Sequence, residues 1–147
     1  MYTHFLVPTD GSRLSDKAVA QAIALAKATK ARVTIFHATI NLPQAVYADG
    51  VSVQMTPHGD YMKQAKAASQ KVLDRAVKMA QTAGVEADTA QAITDAPWEA
   101  ILAAAKKAKA DTIVMASHGR RGLAGLLLGS ETTKVLTHSK LPVLVVR

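Results

Sequence analysis

Short apolar runs rich in β-branched residues alternate along this chain with longer runs whose apolar residues recur every three or four positions. Strict alternation of strand-period and helix-period segments leaves few options. Each strand must be followed by a helix that crosses back over the sheet, so the strands run parallel and the helices cover both faces. The first strand is read at His4 to Pro8. Ser12 to about Lys30 then has helical spacing, with Ala18, Val19, Ala22, Ile23 and Ala26 as its buried stripe. Arg32 to Ala38 is β-branched and reads as the second strand.

Pro43, Gly50 and Pro57 mark Asn41 to about Pro57 as a loop, although Val51 to Met55 alternates in polarity. A long helix is expected from about Asp60 to Ala83, with Met62, Ala65, Ser69, Val72, Leu73, Ala76 and Ala80 on one face and Gly84 as its stop. Glu86 to Ile93 is a third, more polar strand. Asp95 is placed to cap the next helix, Pro97 lies in its first turn, and Trp98, Ile101, Leu102 and Ala105 face inward up to about Ala108. Thr112 to Ala116 is the fourth strand, Ser130 to His138 a short helix, and Pro142 to Val146 the last strand. No internal repeat or linker divides residues 1–147, so we expect a single domain. The fold class is α/β: a Rossmann-like three-layer α/β/α sandwich on a five-stranded parallel sheet of order 3-2-1-4-5.

The segment from Ala116 to Ser130 carries the chemistry. It joins a strand to a helix and contains Gly119, Gly122, Gly125 and Gly129. Glycines let a backbone approach a ligand and adopt positive φ. A helix N-terminus offers unpaired N–H groups and a partial positive charge, which suits a phosphate. Ser130 is read as the N-cap, with Arg120 and Arg121 as nearby cations. In a sheet of this order the turn after the first strand, Pro8-Thr9-Asp10-Gly11, meets the end of the fourth at the topological switch point, where ligands bind. Glycine between a strand and a helix also serves plain turn chemistry. The Gly-x-x-x-x-Gly-Lys-Ser/Thr run of a P-loop and the dinucleotide spacing after the first strand are both absent.

Other chemistries are excluded or weak. With no cysteine there is no disulfide, thiolate metal site or cysteine nucleophile. The histidines lack paired ligand spacing, so no metal site held by the chain is expected. His37 lies in an apolar strand and reads as a packed, hydrogen-bonded histidine. Asp10, His118 and Ser130 are the residue types of a hydrolase triad, but no Gly-x-Ser-x-Gly elbow exists. The net charge of +7 is spread along the chain and aromatics are only 4%, so no nucleic-acid partner is expected. No apolar run approaches the roughly 20 residues of a membrane span, and no secretory leader is read at the start, so no membrane partner and a cytoplasmic location are expected.

Over essentially its whole length the chain resembles the universal stress protein family. The family signature is Gly-x2-Gly-x9-Gly-Ser/Thr. Here Ala116 stands at the first glycine, Gly119 at the second, Gly129 at the third and Ser130 at the hydroxyl. Val7 to Ser12 looks like the family's first strand and turn, and Pro142 to Val146 like its last strand. The resemblance is to the ATP-binding branch. It implies contacts to the nucleoside from Pro8, Thr9 and Asp10, a place beside the base for Ala38, and ribose and phosphate contacts from Met115, Ala116, His118, Gly119, Gly129 and Ser130. Glu131 and Thr132 would lie at the helix start under the phosphates, and Arg120 beside them. Two departures stand out: Ala116 for a glycine, and the carboxylate of Glu131 close to an anion site.

The resemblance further implies ATP, or ADP or AMP, as the cofactor, with Mg²⁺ or Mn²⁺ offsetting the charge, and a homodimer built through the last strand, Val143 to Val146. The expected function is a stress-response sensor or regulator with an unidentified protein partner. No catalytic residue is placed by motif, so at most a slow ATPase is expected. Two alternatives differ in class. One is a nucleotide-independent homodimeric interaction module that recruits through the dimer surface or the Ile40 to Met55 region. The other is an adenylyl-transferring or hydrolysing enzyme on the same fold.

Overall fold

The structure, a computed structural model, describes residues 1–41, 45–48, 51–54, 58–119 and 128–147, the backbone alone at 45–48, 51–54 and 58. In chain order the elements are β1 (His4–Pro8), α1 (Arg13–Thr29), β2 (Arg32–Ile40), β3 (Ala45–Ala48), β4 (Val51–Gln54), α2 (His58–Thr82), β5 (Ala87–Thr94), α3 (Pro97–Ala108), β6 (Thr112–Ala116), α4 (Ser130–His138) and β7 (Val143–Val146). The main sheet is parallel throughout, in the order β5-β2-β1-β6-β7, which is the expected 3-2-1-4-5 once the hairpin strands are set aside.

Burial explains the strand order. β1 is buried along its whole length and lies at the centre, where both faces are covered. β5 is polar and half exposed and lies at an edge. Successive side chains divide between two cores. Val7, Val33, Ile35 and Val114 pack against Val19, Ala22, Ile23 and Ala26 of α1 and Leu73, Ala76 and Ala80 of α2. Leu6, Phe36, Ile113 and Met115 point the other way, onto Ile101 and Ala105 of α3 and Val135 of α4. Both apolar stripes expected for α1 and α2 are therefore the ones that face the sheet. A fully buried Leu6 or Ile35 contributes about 1.5–3 kcal/mol by leaving water.

The amino ends of the strands are held by Asp111. Its carboxylate accepts from the Thr3 N–H and Oγ1–H, both at 2.7 Å, and from the His4 N–H at 3.2 Å. Burial works to raise this carboxyl, but the hydrogen bonds outweigh it and hold its pKa below the ordinary value. His4 is buried with Nε2 2.8 Å from Thr34 Oγ1. Burial, then the Arg32 charge, push its pKa below the usual 6.5, so it stays neutral at neutral pH.

Three expectations are corrected. The Asn41–Pro57 segment is not simply loop, since β3 and β4 pair antiparallel, with Val46 opposite Val53. The two residues between them are Asp49-Gly50, a strong sequence signal for a hairpin, and two short alternating runs flank it. Asp95 does not cap α3, because the N-cap is Ala96, which has no capping side chain. Ser130 is the first helical residue of α4, and the N-cap is Gly129.

Candidate functional site

In a parallel sheet every strand ends at the same rim, and the helices that follow begin there. β1 ends in buried Pro8 and Thr9. The Thr9 N–H donates to the Phe36 carbonyl at 2.8 Å, which fixes the turn against β2. Thr9 Oγ1 lies 2.9 Å from Ser15 Oγ and accepts the Gly11 N–H at 3.2 Å. Asp10 Oδ1 accepts the Ser12 N–H at 2.9 Å, and Ser12 caps α1 by accepting the Ser15 N–H. From α2, Arg75 donates to the Gly11 carbonyl and to Asp16 Oδ1, both at 2.8 Å. The turn is thus held by hydrogen bonds to β2, α1 and α2.

β6 ends in an equally fixed strip. The Ser117 N–H donates to the Val146 carbonyl at 2.8 Å, and the Gly129 N–H to the Ser117 carbonyl at 2.7 Å. Thr132 Oγ1 donates to the Ala116 carbonyl at 3.0 Å, so the first turn of α4 is tied to the last residue of β6. His118 is half-buried with Nδ1 3.2 Å from Ser117 Oγ.

The two turns meet. A β-carbon built on Gly119 would run into the Asp10 carboxylate, with Cγ only 3.3 Å away. A β-carbon on Gly129 would lie 3.1 Å from His118 Cα. A side chain at Gly119 would have to displace the Asp10 carboxylate, and one at Gly129 would crowd the His118 backbone. Among the described glycines, positive φ belongs instead to Gly11 and Gly84, at 74° and 73°.

The rim carries the electrostatics expected of an anion site. α1 and α4 both start there. Ser12 satisfies the start of α1. At α4 no described side chain caps the helix, so the N–H groups of Ser130, Glu131 and Thr132 find no acceptor within the helix. Those donors and the half-charge of the dipole lie close to His118, since a β-carbon on the N-cap Gly129 would sit 3.1 Å from its Cα.

Among the residues named from sequence, Thr9, Asp10, His118, Gly119, Gly129, Ser130, Glu131 and Thr132 are gathered at this rim. Ala38 reaches it from β2, two residues beyond Phe36, the partner of Pro8. The Met115 side chain is buried in the core below, and that of Thr132 serves the Ala116 carbonyl. Ala116 itself is buried and paired with Val146. Glu131 turns aside: Oε2 accepts the Trp98 N–H at 2.9 Å and Oε1 the Lys134 ammonium at 3.1 Å. Arg120, Arg121, Gly122 and Gly125 lie outside the described residues. Ser15, Ser117 and Arg75 shape the site and went unrecognised in the sequence. Arg75 is 64 positions from Gly11, a separation that leaves no local signal. His37 is the hydrogen-bonded histidine expected, 2.8 Å from Ser69 Oγ.

A model of the universal stress protein family matches residues 1–147. The universal stress protein YxiE of Bacillus subtilis is 34% identical over 154 residues, covering 100% of both chains. A solved universal stress protein in complex with cAMP is 28% identical, covers 99% of this chain and 97% of its own, and has a TM-score of 0.70. The solved structure of MJ0577 has a TM-score of 0.81 at 23% identity, over 99% of this chain and 96% of its own, a likeness in fold.

Proposed function

Since this chain belongs to the universal stress protein family, we propose that it is a cytoplasmic sensor or regulator that binds an adenine nucleotide at the rim between Asp10 and α4, ATP foremost. One observation carries the proposal: the Asp10 turn and Gly119 touch directly beside a helix start that no described side chain caps. Nucleotide-shaped chemistry fits there. Thr9, Asp10 and Ala38 line the side next to β2, where a nucleoside would sit. His118, Gly119 and the Gly129 to Thr132 helix start offer N–H groups to phosphate oxygens. The relative solved with cAMP lends support at 28% identity.

A divalent cation accompanying ATP would be held by the phosphate oxygens. Among the described residues, no group of three His, Asp or Glu offers a separate ion site. Asp10 is already engaged as a turn former, so we assign no general base, and turnover is at most slow. The chain would act as one domain and pair with a second copy through β7, an edge strand on which Leu144 is 44% exposed.

Isothermal titration of the purified chain with ATP and with AMP, each with and without Mg²⁺, tests the site. Saturable one-to-one binding is expected. Absence of heat and of any shift in melting temperature at millimolar nucleotide would overturn it.

A further inference from the structure

Glu131 occupies the second position of the helix whose open N-terminus would hold phosphate, the place where a carboxylate competes most directly for the same donors. It makes no cap at the start of its own helix. Its two oxygens are taken by the Trp98 N–H, at 2.9 Å, and by the Lys134 ammonium, at 3.1 Å. The Trp98 N–H needs that partner. α3 begins at Pro97 after Ala96, which supplies no side-chain cap, so a first-turn donor of α3 is satisfied from another helix. The Trp98 ring then packs on His138 at the far end of α4, with centroids 4.5 Å apart. Glu131 is thereby clipped to α3 through Oε2 and to Lys134 of its own helix through Oε1, and no described side chain caps the start of α4.

The clip moves the carboxylate aside without removing its charge. Its side chain is 36% exposed and Lys134 is the cation paired with it among the described residues. We propose that Glu131 is a specificity-determining residue that sets how much phosphate charge the rim accepts, narrowing the preference of the site for triphosphates over monophosphates. This rests on the nucleotide-binding function proposed above. At about 8 Å through water, one charge against another changes an affinity about twofold to threefold, and ATP carries about two more negative charges than AMP. Removing the Glu131 charge should therefore improve ATP binding about fivefold relative to AMP.

The test is the ratio of ATP to AMP dissociation constants, by titration calorimetry without divalent cation, in the wild type, E131Q and E131A. E131Q keeps an acceptor for the Trp98 N–H and loses the charge. It is expected to strengthen ATP about fivefold more than AMP, the difference shrinking at ~0.5 M salt. E131A should show the same ratio but a lower melting temperature, because α3 also loses its cap. A purely structural role would move stability and leave the ratio alone. If wild type and E131Q bind both nucleotides with the same ratio, the specificity role of Glu131 is overturned and the site stands. If wild type binds neither, both fall together.

Discussion

Gly119→Ala probes the contact on which the site depends. The new methyl group would meet the Asp10 carboxylate, whose Cγ lies 3.3 Å from the ideal β-carbon position. The Asp10 side chain can swing away, but it then releases the Ser12 N–H that it accepts at 2.9 Å. A hydrogen bond to a charged group is worth about 1.5–3 kcal/mol, so we expect G119A to destabilise the fold by about 1.5 kcal/mol. In an Asp10→Ala background the obstacle is gone, and G119A should cost under about 0.5 kcal/mol. The double-mutant cycle, read from urea unfolding followed by circular dichroism, should therefore show a coupling of about 1 kcal/mol. ATP affinity should fall in G119A, because the carboxylate leaves its place at the rim. Equal costs in both backgrounds would refute the meeting of the two turns.

Other consequences can be measured directly. Lys109 ends α3 with φ 55°, a left-handed conformation that disfavours a β-carbon, so K109G should stabilise the protein by about 0.5–1 kcal/mol in urea unfolding. His4 has a folded pKa below 6.5, so the unfolded chain takes up a proton first as pH falls. Stability should drop below about pH 6.5 more steeply in wild type than in H4Q, by thermal melts from pH 7 to 5. Asp111, also lowered, contributes above its ordinary 3.8 and loses that contribution only as pH falls through its folded value, so D111N should already be less stable at pH 7. Leu144→Glu puts a charge on the exposed edge of β7 and should convert a dimer to a monomer in light scattering at tens of micromolar, with the melting temperature little changed.

How much was legible depended on the range of the interaction. Val19, Ala22, Ile23 and Ala26 were readable because helical spacing is local and their common face must be buried somewhere. The β3–β4 pairing was also signalled locally, by Asp-Gly between two short alternating runs of the sequence, yet the prolines on either side obscured it. Caps were misplaced for a tertiary reason. Asp95 is the better capping residue in isolation, but the carboxylate that reaches the start of α3 comes from Glu131, 33 positions from Trp98.

From the amino-acid order alone came the alternation of strands and helices, the burial of β1 and the glycine-bearing turn before α4, since each follows from spacing and side-chain chemistry over a few residues. The meeting of the β1 turn with the end of β6 was also expected from the strand order, but folding alone decided the reach of Arg75 to Gly11 and the clip of Glu131 onto α3. Those contacts join segments far apart in the chain. Whether two such groups lie within hydrogen-bonding distance depends on the packing of whole layers, which no local pattern encodes.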